Sequence, residues 1–302
     1  MQATGANMKP SCAAAVVGAG NMGGAMLARL RDLDWSLAVH DTDAQAQAQA
    51  VALGAAPCGS AEQAAQSLAP QGVLLVAVVD AAQTESVLWG EGGAGAHLRP
   101  GQCVMLCPTL GPATVAAQAE RLALQGVDCM DAPMSGGPLR AREGRMSLMV
   151  ACPDDVWTRH QNLLSALSDQ VFRVGTRAGD GARTKLVNNL LAAVNLAAAA
   201  EALALAERLG LEPAATLAVI EASSGQSWIG SDRMRRALAG DLAPRAHVSL
   251  LAKDTGLALQ AATDVAFNPP LGTIARALFA QALDQGWADL DDAALLQLMR
   301  QR

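Results

Sequence analysis

The sequence predicts an α/β chain: a parallel sheet clad by helices in the first half, then an all-helical second half entered on one long helix. Three observations predict it. Short apolar runs alternate with helical patterns up to residue 174, as a sheet built from βαβ units requires. Beyond that point strand-like runs stop, and an alanine-rich helical pattern covers 182–209. Between the first apolar run and the first helical pattern, glycines fall at 18, 20 and 23.

The elements follow in order. Residues 1–11 are polar, lack the apolar run of a signal peptide, and read as a disordered extension. Strands are expected at 13–17, 37–40, 73–79, 103–106, 127–130, 146–150 and 171–174. Helices are expected between them, at about 22–33, 43–53, 61–68, 83–89, 113–125 and 154–167. The helix over 182–209 would be about 40 Å long at 1.5 Å per residue. Gly210 ends it and Pro213 opens the next. Asn195 and Glu201 interrupt its apolar run before the roughly 18 residues of a membrane span, so a buried helix of a soluble protein is expected. The rest reads as helices joined by Gly and Pro turns. Two domains result, over 12–175 and 176–302.

Composition narrows the partners. The 302 residues are 51% hydrophobic and 17% charged, with a net charge of −6 and no basic block, which speaks against nucleic acid or an anionic membrane. Six cysteines, at 12, 58, 103, 107, 129 and 152, form no C-x-x-C pair, so reduced thiols in a cytoplasm are expected. The four histidines share no ligand-like spacing, so no metal is expected. His247 is the best histidine for a His–acid catalytic pair; a surface or capping role is its plainer reading.

Residues 18–23, "GAGNMG", fit G-x-G-x-x-G after a strand and at the start of a helix. Gly18 permits the tight turn, Gly20 lets backbone N–H groups approach a pyrophosphate, and Gly23 lets helix and strand pack closely. A glycine-rich turn without a ligand is the bland alternative. Asp41, 23 residues after Gly18, is placed to bind the adenosine ribose hydroxyls and to repel a 2′-phosphate, favouring NAD with NADP still possible. A surface turn or N-cap would also explain it.

Three further stretches carry chemistry. "DAPMSGG" ends a strand with Ser135, Gly136 and Gly137, whose hydroxyl and backbone N–H groups suit a carboxylate; a plain β-turn is the alternative. In "GDGARTKLVNNLL", Lys185 and Asn189 are four apart and share one helix face. The alternative for Lys185 is an exposed lysine near a helix start. In "LLAKDTGLAL", Lys253 and Asp254 interrupt an apolar helix, as a buried ion pair or with Lys253 directed to a cofactor.

Taken together these motifs resemble the β-hydroxyacid dehydrogenase family, which includes 3-hydroxyisobutyrate dehydrogenase and tartronate semialdehyde reductase. "VVDAAQTESVLWG", "SSGQSW" and "GDLAPRAHVSLLAKDTG" are most similar to its L-threonate dehydrogenase branch. The resemblance implies an N-terminal Rossmann domain, an all-α C-terminal domain with a cleft between them, and hydride transfer between NAD(P) and a small hydroxy acid. It implies Lys185 as acid/base, with Ser135, Gly136, Gly137 and Asn189 on the substrate. It places Gly18, Gly20, Asn21, Met22, Gly23, Asp41, Val79, Asp80, Thr109 and Lys253 around the cofactor. The chain departs from the family pattern at Pro108, usually serine, at Leu106, commonly aspartate, and at Asp80, often proline. Asn189 and Asn195 stand where the threonate branch would carry Gln and His.

Alcohol oxidation needs a proton acceptor. A lysine at its ordinary pKa near 10.4 is a poor one unless burial or a nearby positive charge lowers it. Two rival functions stand beside the dehydrogenase: an imine reductase on the same scaffold, in which the lysine is typically replaced, and a non-catalytic dinucleotide sensor. The long apolar helix further predicts a homodimer or homotetramer.

Overall fold

The computed structural model describes residues 12–302, so the extension expected over 1–11 lies outside the described residues. The chain divides into two compact units, the first ending at Lys185 and the second beginning at Leu186.

The first unit contains β1 (Cys12–Val17), α1 (Asn21–Asp32), β2 (Leu37–His40), α2 (Ala44–Ala52), β3 (Ala56–Pro57), α3 (Ala61–Gln66), β4 (Leu68–Val76) and α4 (Ala81–Trp89). It continues through β5 (Cys103–Leu106), α5 (Pro112–Ala123), β6 (Asp128–Asp131), β7 (Met134–Ser135), α6 (Gly137–Arg142), β8 (Ser147–Ala151), α7 (Asp154–Leu167) and β9 (Gln170–Gly175). The sheet order is β3-β2-β1-β4-β5-β6-β8-β7, with β9 paired to β8. From β3 to β6 every pairing is parallel, which is the doubly wound arrangement expected.

Both faces of this sheet are buried, and residue alternation assigns the layers. Val16, Leu75 and Met105 face the core that packs α1, α6 and α7, whereas Val17, Val76 and Leu106 face the core that packs α3, α4 and α5. A strand covered on both sides reads as a continuous apolar run, which is why β1, β4 and β5 stand out in the sequence.

The parallel arrangement does not extend to the far edge. β8 runs antiparallel to β6 and β7, because the chain turns back after Ser135 through the short α6 instead of crossing over the sheet. The two-residue β3 and β7 are too short to leave a periodic signal, and α6 opens on Gly137 and Pro138, which read as a turn.

In the second unit α8 (Asp180–Arg208), which begins in the first, is followed by α9 (Pro213–Glu221), α10 (Trp228–Leu238), α11 (Val248–Asp264), α12 (Pro270–Asp284) and α13 (Leu295–Arg300). The core gathers Leu196, Ala200 and Leu203 of α8 with Met234, Leu251 and Phe279. α8 is long and apolar enough to span a membrane, yet 44% of that stretch is buried inside the protein. Part of its apolar surface stays uncovered within the chain: Val187, Leu191 and Leu205 stand exposed on it.

Candidate active site

The turn between β1 and α1 is shaped by glycine. Gly18 has φ +92°, and a Cβ there would lie 2.7 Å from the Ala77 carbonyl oxygen just past β4. A Cβ on Gly23 would lie 1.8 Å from the Gly18 carbonyl oxygen, so only glycine lets α1 start this close to β1. Gly20 is different. It caps α1 without a side-chain partner, and a Cβ there would meet nothing within 4 Å. The first α1 residues, Asn21 and Met22, are exposed and half-buried. This open space lies over the N-terminal amides of α1, at the carboxyl ends of β1 and β4, where the strand order reverses. These residues fit a dinucleotide pyrophosphate, whose charge the helix N-terminus favours. The space adjoins a groove of about 390 Å³ between α1 and α2.

Asp41 follows β2 and is half-buried. The Ala19 N–H donates to its Oδ2 at 2.5 Å and the Asp43 N–H to its Oδ1 at 2.8 Å. Asp41 therefore braces the glycine turn itself, a role its spacing did not reveal. A carboxylate has about four acceptor positions, so sugar hydroxyls still find room on it. Asp80 is the N-cap of α4, accepting from the Gln83 N–H at 2.9 Å, while the N–H of exposed Val79 donates to Gln83 Oε1 at 2.9 Å. Thr109 is half-buried in the turn between β5 and α5. Two residues before it, the Cys107 thiol is pushed up to about 12 by burial and by the charge of Asp131, so it is no nucleophile.

Across the sheet, β6 ends at Asp131 and the chain continues to Ser135, Gly136 and Gly137, all half-buried. Gly136 and Gly137 have φ of +121° and +76°, backbone that a side chain would strain. Asp131 is 1% exposed. Its Oδ2 accepts the N–H of Gly179 at 2.8 Å and of Ala182 at 3.0 Å, at the start of α8. Burial pushes its pKa up to about 6, against the pull of those amides. One turn further along α8, Lys185 is only 6% exposed. The solvent-exposed alternative for this lysine is thereby corrected: it is buried.

In the second unit, Asn189 is buried and both ends of its amide are engaged. Its Nδ2 donates to Asp254 Oδ2 at 2.6 Å, and its Oδ1 accepts from Asn188 Nδ2 at 3.0 Å. Lys253 Nζ lies 3.0 Å from Asp254 Oδ1. The ion pair read in "LLAKDTGLAL" is thus present, and Asp254 links the lysine to Asn189. Sequence spacing could not foresee that link, since 65 positions separate the two residues. His247 turns Nδ1 to the Asp289 carbonyl oxygen at 2.9 Å, a backbone contact and not a His–acid pair.

Comparison with known proteins places both units. Residues 13–175 match the NAD binding domain of 6-phosphogluconate dehydrogenase, and residues 179–299 match the NAD-binding family of NADP-dependent 3-hydroxyisobutyrate dehydrogenase. The chain is 35% identical over 283 residues to an L-threonate dehydrogenase of Cupriavidus necator, covering 94% of each chain. It superposes on the crystal structure of a 3-hydroxyisobutyrate dehydrogenase from Salmonella typhimurium with a TM-score of 0.87 and 34% identity, covering 94% of this chain and 99% of that one. An imine reductase from Myxococcus stipitatus, solved with NADP+, shares the fold at a TM-score of 0.66 but only 18% identity, covering 95% and 99%.

Proposed function

The chain belongs to the β-hydroxyacid dehydrogenase family, and from that premise we propose that it oxidises a small hydroxy acid with NAD, using Lys185 as the acid/base. The substrate class is that of L-threonate, 3-hydroxyisobutyrate or glycerate. The observation that carries the proposal is the burial of Lys185, only 6% exposed, in the first turns of α8.

Oxidation of an alcohol takes a hydride from carbon and a proton from oxygen. Bound NAD supplies the hydride acceptor. The neutral amine of Lys185 accepts the hydroxyl proton; in the reverse direction the ammonium returns it and polarises the carbonyl. General acid/base catalysis of this kind contributes on the order of 10²–10⁴ in rate. Ser135 and the Gly136–Gly137 amides hold the substrate carboxylate, and Asn189, its amide fixed by Asp254, orients a substrate oxygen. Gly18, Gly20, Asn21, Met22 and Gly23 take the pyrophosphate and Asp41 the ribose. Val79, Asp80, Thr109 and Lys253 complete the cofactor set. The acids Asp41 and Asp43 at the ribose end favour NAD over NADP through repulsion of a 2′-phosphate.

Exposed apolar residues on α8 (Val187, Leu191 and Leu205) support a homodimer or homotetramer built on that helix. The functional reading is tested with a panel of L-threonate, 3-hydroxyisobutyrate and D-glycerate, each with NAD and with NADP, followed by NADH or NADPH absorbance. Turnover of at least one acid with NAD preferred is the expected result. Turnover of cyclic imines with none of the acids would overturn it.

A further inference from the structure

We infer that Asp131 is the positioning residue of the proposed proton transfer: its carboxylate pins the start of α8, and with it Lys185, to the strand that runs on into the Ser135–Gly137 turn. The inference rests on the assignment of Lys185 above.

A helix start leaves its first amide N–H groups without partners inside the helix. The residue before α8 is Gly179, which has no side chain to cap them. Asp131 fills that place from 48 residues away, accepting the Gly179 and Ala182 N–H groups on one oxygen. Gly181 lets the helix come this close. A Cβ on it would lie 2.8 Å from the Asp131 carbonyl oxygen, 2.9 Å from its Cγ and 2.7 Å from the Met149 carbonyl oxygen. The helix start is therefore held against both β6 and β8.

Lys185 follows Gly181 by four positions and Ala182 by three, so it shares the held face of α8. Helical side chains lean toward the N-terminus, which directs the lysine back over the turn that Asp131 grips. The same residue begins the segment Ala132–Pro133 that leads to Ser135. One carboxylate thus sets the lysine against the carboxylate turn, and a shift of about 1 Å in such a spacing costs on the order of 10² in rate. Being 1% exposed, the oxygen is shielded from water that would otherwise stand in for it.

The test uses the full chain with L-threonate and 3-hydroxyisobutyrate as probes, counting active sites by NADH fluorescence titration. Asp131→Ala is expected to lower kcat per NADH-binding site about 10²-fold, with NADH affinity unchanged and faster deuterium exchange at amides 179–185. Asp131→Asn keeps a carbonyl oxygen for both N–H groups and should recover most of the loss. Gly181→Ala, which moves the helix start while leaving the carboxylate in place, should lower kcat per site like Asp131→Ala. A general loss of stability would reduce the number of NADH sites, not kcat per site. Unchanged kcat per site in Asp131→Ala, or in Gly181→Ala should the former not fold, overturns the inference, as does unaltered exchange at 179–185. If the wild type oxidises neither acid, the functional reading fails, and the exchange experiment alone decides whether Asp131 holds the helix.

Discussion

The ends of β2 and β6 solve one problem in two ways. An aspartate just after β2 and another at the end of β6 accept backbone N–H groups from a segment preceding or opening a helix: Asp41 from Ala19 ahead of α1, Asp131 from Gly179 and Ala182 at α8. Asp41 is half-buried and keeps acceptor capacity for a ligand, whereas Asp131 is sealed from water. A carboxylate at the rim can both brace a turn and read a sugar. Inside the fold the same group is confined to holding a helix, and burial makes its charge costly there.

Two experiments sharpen that contrast. The larger effect is expected at the rim. Asp41→Ala removes charged hydrogen bonds worth roughly 1.5–3 kcal/mol each, so NAD affinity should fall about tenfold or more by calorimetric titration. The NAD-over-NADP preference should narrow while kcat at saturating NAD stays near wild type. An equal loss in kcat would mean that Asp41, like Asp131, acts mainly on geometry.

The smaller effect is a pH dependence of stability at the interior site. The folded pKa of Asp131 is raised by burial to about 6 from an ordinary 3.8, so the group costs stability when ionised and the cost is relieved as pH falls through 6. Its charged neighbour is Asp180, and the nearby thiols Cys107 and Cys129 are pushed up by burial and stay neutral. Relative to Asp131→Asn, the wild type should gain about 1 kcal/mol in urea unfolding between pH 7.5 and 5.5. A difference that stays flat with pH would show Asp131 to be less buried than the structure has it.

The same pair shows what a sequence reveals. The cofactor turn was legible because glycine identity at 18 and 23 is itself the steric requirement, and because Asp41 lies at a fixed distance along a βαβ unit. Lys185 was legible as a charge at the entrance to an apolar helix. The role of Asp131 was not legible, since its partners lie 48 and 51 positions away and nothing local marks them. The bond from Asn189 to Asp254 was hidden for the same reason. The antiparallel β8 also escaped, because an apolar run reads alike in either direction. Packing settles as well why the first turn of α8 belongs with the first unit: Asp131 ties it there, and the division falls after Lys185.

The proposed proton transfer depends on the amine of Lys185. Lys185→Ala, assayed with the hydroxy acid that the wild type oxidises fastest, should leave NADH affinity near wild type while turnover drops by on the order of 10² or more. Turnover surviving at wild-type rate would assign the proton to another group and remove the lysine from the mechanism.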